Sequence, residues 1–184
     1  MAWPDEKPAT RKPALRKLRV VSGGQSGVDR AALDVALTLG LPCGGWCPAG
    51  RRAEDGPIPV RYPLAETTSA DYAVRTRRNV EDSDGTLVLC AGTLSGGTLL
   101  TVQLAGARDK PCLVIDLRRP WQPRDVLDWL DACAIGTVNV AGPRESGAPG
   151  IHRQAADYLH AVLTAVGDLD DTPAEHWRGQ AGAD

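Results

Sequence analysis

Residues 18–29 read Leu18-Arg19-Val20-Val21-Ser22-Gly23-Gly24-Gln25-Ser26-Gly27-Val28-Asp29, a strand-like apolar run that leads into a glycine-rich turn and a helix-like stretch. The same order recurs twice, where the apolar runs at 86–90 and 137–140 precede the turns at 95–98 and 141–147. A strand that ends at glycine and continues as a helix leaves free backbone N–H groups at the positive end of the helix, where they bind anions, phosphate above all. Three such turns in one domain predict a single phosphate-bearing ligand that lies across neighbouring turns of one sheet.

Strand-like and helix-like segments alternate along the rest of the chain. Short apolar runs predict strands at 18–21, 44–47, 86–90, 112–117 and 137–140, and helix-like stretches are predicted at about 26–39, 69–82, 97–107, 123–133 and 149–166. This alternation is typical of an α/β fold, a mostly parallel sheet with helices on both faces. Such sheets bind ligands at the carboxyl ends of their strands, where all three glycine turns fall. The aperiodic segment 48–64 is predicted to be a long functional loop.

Length, net charge and composition argue against several classes of protein. The chain of 184 residues suffices for one domain, and its net charge of −2 argues against a protein that binds nucleic acid by general phosphate attraction. No apolar run reaches the roughly 18 residues of a membrane span, and the first residues lack the apolar region of a secretory signal. The five cysteines have no paired spacing and are expected to be free thiols in a reducing compartment. We therefore expect a cytoplasmic protein that does not bind a membrane.

The two ends differ in composition from the segment between them. Residues 1–17 are rich in lysine and arginine, and residues 167–184 are rich in aspartate. Solvated, charged ends of this kind are commonly mobile. We expect a ligand-binding domain at 18–166 between a flexible basic tail at 1–17 and a flexible acidic tail at 167–184.

The candidate ligand-binding residues lie in the three turns and in the segments near them. Glycine permits close backbone approach, hydroxyls donate to phosphate oxygens, and adjacent arginines offer bidentate forks. The predicted set is Gly23, Gly24, Gln25, Ser26, Gly27, Asp29, Arg51, Arg52, Arg78, Asn79, Gly96, Gly97, Thr98, Gly142, Arg144 and Ser146. Because the three histidines are scattered along the chain, no metal site is predicted.

Some of these residues have a second interpretation. Asp29 either complements the positive end of its helix or holds a hydroxyl or amide of the ligand. The segment 51–56 is predicted to reach over the ligand, and the alternative is a solvated loop with internal ion pairs. Within it, Glu54 and Asp55 either neutralise the arginines or accept hydrogen bonds from the ligand's ring, and they are the candidate catalytic residues. Arg78 and Asn79 lie on a predicted helix, where surface charge is the alternative role.

Longer motifs resemble a known family, the putative molybdenum cofactor carrier proteins, a circularly permuted YpsA-like branch of the SLOG superfamily that also contains the lysine-decarboxylase-like LOG proteins. The matching motifs are Gly23-Gly24-Gln25-Ser26-Gly27-Val28-Asp29-Arg30, the run from Gly44 to Gly56, Tyr62-Pro63-Leu64 with Glu66-Thr67, Arg77-Arg78-Asn79-Val80, Asp82-Ser83-Asp84, Gly96-Gly97-Thr98 and the run from Asn139 to Ser146. They occur in order and cover about residues 18–166.

The resemblance implies a single-domain, Rossmann-like, three-layer fold and a homo-oligomer, either a dimer or a tetramer. It also implies a nucleotide- or pterin-phosphate-type ligand, for which molybdenum cofactor is the candidate. Molybdoenzymes are the corresponding candidate acceptors.

Two classes of function follow. In the LOG-type phosphoribohydrolases, the motif that corresponds to Gly96-Gly97-Thr98 continues to a catalytic glutamate, and the matching position here is Thr101. A threonine does not supply the carboxylate that N-glycosidic hydrolysis requires. The sequence therefore favours a carrier or storage protein. The alternative is a nucleoside-monophosphate phosphoribohydrolase that uses Glu54, Asp55 or Asp29 instead.

Overall fold

The computed structural model describes residues 18–170 of the chain. The predicted basic tail and the part of the predicted acidic tail beyond residue 170 lie outside these residues. The strands are β1 Arg19–Val21, β2 Cys43–Gly44, β3 Trp46–Cys47, β4 Arg52–Ala53, β5 Gly56–Pro57, β6 Ala65–Glu66, β7 Gly85–Cys90, β8 Cys112–Asp116 and β9 Thr137–Ala141. The α-helices are α1 Val28–Thr38, α2 Tyr72–Glu81, α3 Gly96–Gly106, α4 Pro123–Ala132 and α5 Ile151–Asp170.

Five strands form the central sheet, in the order β2-β1-β9-β7-β8, and all their pairings are parallel. In register, Val20 lies opposite both Cys43 and Val138. Every residue of the long inner strand β7 is buried, as expected for a parallel sheet that is covered on both faces. The predicted α/β fold with a parallel sheet is confirmed.

The two faces of the sheet differ in character. On one face, Val20, Leu87 and Val140 belong to a large apolar core that continues into α1, α4 and α5. The opposite face carries Thr86 and Asn139, and the Asn139 side chain donates to the Thr86 hydroxyl at 3.3 Å. Helices α2 and α3 pack against each other, and α3 also contacts β7 and β8. The large core therefore fixes the sheet, while α2 and α3 border its carboxyl edge.

Two predicted boundaries change. The strand expected at 44–47 breaks at Gly45, where φ is +129° and a Cβ atom would stand 2.2 Å from the Ser22 carbonyl oxygen. The chain there leaves the central sheet, and β3 pairs with β6 instead. The helix expected at about 149–166 continues as α5 to Asp170. Within residues 18–170, no helix is both long and apolar enough to cross a membrane.

Candidate functional site

The three glycine turns meet in one cleft of about 270 Å³ at the carboxyl edge of the sheet. The lining includes Gln25 and Asp29 from the first turn, Ser95, Gly96, Gly97 and Thr98 from the second, and Gly142, Pro143 and Arg144 from the third. This convergence follows from the strand order, because β9 lies between β1 and β7 and all three strands end at the same edge. The cleft therefore combines the three segments that the sequence singled out.

Helix α3 begins at the wall of the cleft without an internal partner for its positive end. Its N-cap residue Ser95 makes no side-chain capping bond, and its first turn holds no acidic residue. A Cβ atom built on Gly96 or Gly97 would meet no other group within 4 Å. Backbone N–H groups at such an end attract an anion. This end of α3 is therefore accessible to a ligand in the cleft.

The other four helices of residues 18–170 each have a carboxylate at their start. Asp29 and Asp125 lie in the first turns of α1 and α4. Asp71 accepts from the Ala73 backbone at the start of α2, and Glu145 accepts from the backbone N–H groups of residues 150 and 152 at the start of α5. Among the α-helices of this part of the chain, α3 alone begins without one, so the positive end of its dipole has no carboxylate beside it.

A largely buried ion pair between Arg75 and Asp29 lies at the cleft. Arg75 on α2 donates to Asp29 with an Nη1–Oδ2 distance of 2.9 Å, and the two side chains are 14% and 4% exposed. Burial raises the pKa of Asp29, while the Arg75 guanidinium works in the opposite direction. The Arg75 Nε atom is buried and has no hydrogen-bond partner among the described residues. Arg75 therefore both neutralises Asp29 and presents part of its guanidinium at the cleft wall.

Sequence reasoning missed Arg75, because α2 carries three arginines in four residues and their charge does not reveal which one faces inward. A positional signal was available. Buried Asn79 lies four residues after Arg75, so both lie on the same face of the helix. Arg77 and Arg78 are exposed.

The glycines of the first and third turns bring protein segments together. A Cβ atom on Gly23 would stand 1.6 Å from Arg75 Nη1, and one on Gly27, where φ is +78°, would stand 2.4 Å from the Pro143 carbonyl oxygen. A Cβ atom on Gly24 would stand 2.5 Å from Leu64 Cδ1, and one on Gly142 would stand 2.4 Å from the Leu89 carbonyl oxygen. These four glycines shape the cleft by close packing, and of the four Gly142 also lines it.

The predicted hydroxyl donors Ser26 and Ser146 bind Glu54. Both hydroxyls donate to its carboxylate, and the Ser146 backbone N–H adds a third bond at 3.1 Å. Partial burial opposes ionisation, but the hydrogen bonds from Ser146 and Ser26 outweigh it and lower the pKa of Glu54. This cluster faces a second cavity of about 840 Å³, on whose wall Asp55 also lies. Asp55 pairs with Arg30, at 2.7 Å from Nη2, and this bond lowers the pKa of Asp55.

The structure does not bring Arg51 or Arg52 to the cleft. Arg51 has a positive φ of 50° and directs its guanidinium into its own loop. It donates there to the carbonyl oxygens of Ile58, Pro59, Tyr62 and Leu64 at 2.9 to 3.1 Å. Arg52 is exposed and is not among the residues that line the cleft. The Arg51 side chain therefore stabilises its own loop.

Arg78 and Asn79 also lie away from the cleft. The Arg78 guanidinium stacks over the Trp46 ring at 5.0 Å from its centroid. Asn79 is buried, accepts from the Trp46 N–H at 2.8 Å and donates to the Trp46 carbonyl at 3.0 Å. The pair fixes β3 against α2 and so holds the segment that leaves the sheet at Gly45.

Among the described residues, the cleft lacks an unpaired carboxylate of the kind that N-glycosidic hydrolysis requires. Asp29 is the one carboxylate among the lining residues, and its charge is balanced by Arg75. Thr101, at the position of the LOG glutamate, donates its hydroxyl to the Gly97 carbonyl at 2.8 Å. Residues 18–170 contain no group of three histidine, cysteine, aspartate or glutamate side chains that is placed to hold a metal ion.

Comparisons with known proteins agree with this architecture. The model of the circularly permutated YpsA SLOG family matches residues 20–163. A crystal structure from Syntrophus aciditrophicus SB, described as a putative molybdenum carrier protein, matches with a TM-score of 0.76 and 43% sequence identity, over 86% of this chain and 98% of that chain. No curated protein matches at a significant level. The resemblance inferred from the motifs is confirmed, and the chain belongs to the circularly permutated YpsA SLOG family.

Proposed function

We propose that the protein binds a phosphorylated, ring-bearing small molecule in the cleft, and that this molecule is molybdenum cofactor, held for storage or for transfer to molybdoenzymes. The observation that carries the proposal is the start of α3, which opens on the cleft with no carboxylate of its own. The related structure described as a molybdenum carrier supports the choice of ligand.

In this proposal, different lining residues contact the phosphate and the ring of the ligand. The backbone N–H groups of Gly97 and Thr98 receive the phosphate at the positive end of α3. Arg144, whose side chain is 52% exposed, adds a positive charge at the rim, and Arg75, whose charge is balanced by Asp29, lines the wall. Gln25 is held in place because its Oε1 atom accepts from the backbone N–H of Ser26 at 3.0 Å. Its amide nitrogen then serves as a donor to the polar edge of the ring.

Carriage fits the cleft better than hydrolysis does. A phosphoribohydrolase needs a carboxylate beside the glycosidic bond. Glu54 and Asp55 point to the second cavity, and Asp29 is occupied by Arg75. We therefore expect no release of ribose 5-phosphate when the protein is incubated with AMP. Steady turnover that is lost in the Asp29→Asn variant would favour the hydrolase instead.

Native mass spectrometry of protein purified under anaerobic conditions tests the proposal. Release and identification of the bound molecule should give a phosphorylated pterin, with or without molybdenum. If the protein is recovered empty, titration with anaerobically prepared molybdenum cofactor should restore the mass shift. A nucleotide as the bound molecule, or no binding of the cofactor in the titration, would contradict the proposed ligand.

We also propose that the chain forms a homo-oligomer through α3 and β8. The face of α3 that is buried carries small side chains, Thr98, Thr101 and Ala105, whereas Leu99 is 39% exposed and Val114 on edge strand β8 is 40% exposed. Light scattering after gel filtration should show a dimer or tetramer that Leu99→Glu dissociates. The matched change Leu37→Glu, at a leucine on α1 that is 42% exposed, should leave it intact. A monomeric wild-type protein would contradict this assembly.

A further inference from the structure

Arg144 lies between the cleft and the Glu54 cluster. It lines the cleft together with Gly142 and Pro143. Its Nη1 atom is 3.7 Å from Glu54 Oε2, and Glu54 lines the second cavity on the other side of the first turn. One guanidinium therefore borders both regions, within reach of an internal carboxylate and of any anion in the cleft.

The position of Glu54 is fixed independently of Arg144. The two serine hydroxyls and the Ser146 N–H hold its carboxylate, and its own backbone N–H donates to Gln25 Oε1 at 2.9 Å. Its side chain is only 17% exposed. Because the carboxylate has three other donors, its position does not depend on Arg144. Glu54 is thus a well-held negative charge beside a half-exposed arginine.

We propose that Glu54 is a positioning residue that competes with the ligand's anionic group for Arg144 and so sets the affinity of the cleft for anions. This inference rests on the proposed function, because it assumes that an anion binds in the cleft. With Arg144 drawn toward Glu54, a simple anion gains only part of the arginine's charge. Removing the negative charge of Glu54 should therefore release Arg144 to the anion.

The test uses inorganic phosphate as the probe, with binding followed by amide chemical shifts in the full chain at several salt concentrations. Glu54→Gln removes the charge but retains one acceptor oxygen for the Ser26 hydroxyl and the Ser146 N–H. Its amide NH2 group can donate to the Ser146 hydroxyl, which can turn to accept. Because pairs with one exposed partner are weak, we expect about two- to fivefold tighter phosphate binding and a steeper dependence on salt. Arg144→Met should weaken binding, and in that background Glu54→Gln should have no further effect.

Asp55→Asn is the matched control. Asp55 is the next residue in the same loop and pairs with Arg30 on the wall of the second cavity, so its loss loosens the loop without releasing Arg144. We expect unchanged phosphate affinity. If Glu54→Gln and Asp55→Asn change the phosphate affinity equally, disturbance of the loop explains the effect, and the inference is overturned.

The outcomes separate this inference from the function on which it rests. Phosphate that binds the wild-type protein and is weakened by Arg144→Met, but is unaffected by Glu54→Gln, would overturn the role of Glu54 and leave the anion site standing. Phosphate that perturbs none of the cleft amides in any variant would overturn both. If Glu54→Gln fails to fold, the wild-type protein gives a second test, since the resonance of the Arg144 Nε–H should shift on saturation with phosphate. No shift would overturn the competition.

Discussion

The starts of α3 and α5 lie on the same side of the molecule but differ in what binds their free backbone N–H groups. At α5, Glu145 reaches the backbone N–H groups of residues 150 and 152, and these bonds lower its pKa. At α3, the N-cap Ser95 makes no side-chain bond and no acidic residue follows. One helix start carries its own anion, and the other faces a cleft. The difference shows that an internal carboxylate satisfies the start of α5, whereas the start of α3 is left without one among the described residues.

The charged side chains near the two helix starts also differ. The α3 side of the cleft has Arg75, which is mostly buried and paired with Asp29 at 2.9 Å. Near α5, the Nε2 atom of His152 instead lies 3.1 Å from Asp34. Burying an arginine and an aspartate costs free energy that surface pairs avoid. Placing that pair at the cleft indicates that its position matters for the site.

The largest effect is expected from Arg75→Met. This change leaves the Asp29 carboxylate buried and unpaired, which should lower the free energy of unfolding by about 3–5 kcal/mol at neutral pH. Because burial already raises the pKa of Asp29 above its ordinary value of 3.8, the penalty should shrink as the pH falls toward that raised pKa and the group protonates. Urea unfolding at several pH values measures both effects. Arg77→Met, at an exposed residue of the same helix, should change stability by less than about 0.5 kcal/mol, and an equal loss there would refute the special role of Arg75.

The next effect concerns α3 itself. Gly97→Asp places a carboxylate at the start of the helix, where a Cβ atom meets nothing within 4 Å. The fold should tolerate it, because an acidic residue suits this end, but the ligand's phosphate should be repelled. We expect about 100-fold weaker binding of molybdenum cofactor by equilibrium dialysis, roughly 2.7 kcal/mol. Gly97→Ala keeps the N–H groups uncovered and should retain affinity. Equal binding by both variants would show that the phosphate lies elsewhere.

A smaller effect is expected at α5. Glu145→Gln removes the negative charge that binds the backbone N–H groups at the start of α5, so the free energy of unfolding should fall by about 1 kcal/mol. Affinity for the ligand should not change, since Glu145 lines the second cavity and not the cleft. Thermal unfolding beside a binding assay measures the two properties. Asp157→Asn, at an exposed residue later in α5, serves as the control, and a large loss of affinity in Glu145→Gln would break the distinction between the two helix starts.

The smallest effect is the pH dependence of that stabilisation. The folded pKa of Glu145 lies below its ordinary value of 4.5, so its contribution is fully present above that value. It should be lost as the pH falls through the lowered folded pKa. The stability difference between the wild-type protein and Glu145→Gln should therefore be constant near neutral pH and close in acid. A difference that grows in acid would contradict this assignment.

Much of the fold was predictable because it depends on local patterns. Apolar runs separated by amphipathic stretches indicated the parallel sheet, and the rule that ligands bind at the carboxyl edge brought the three turns together. Gly45 escaped prediction because its break depends on the approach of the carbonyl of Ser22, the residue that follows β1. Nothing local to the run at 44–47 reveals that contact.

The candidate site was predicted less completely because it depends on pairs that are distant in the chain. Asp29 and Arg75 are separated by 46 positions, and neither residue's neighbours reveal the other. Ser26 was expected to serve the ligand but is bound to Glu54, 28 positions away. A charge or hydroxyl in a glycine turn indicates a polar site, whereas its partner is decided by packing.

Amide chemical shifts of isotope-labelled protein, followed during an anaerobic titration with molybdenum cofactor, would show which helix start receives the phosphate. We expect the N–H resonances of Gly97 and Thr98 to move and saturate together, while those of Gly150 and His152, already bonded to Glu145, stay in place. Saturable shifts at the start of α5, with none at the start of α3, would contradict this expectation.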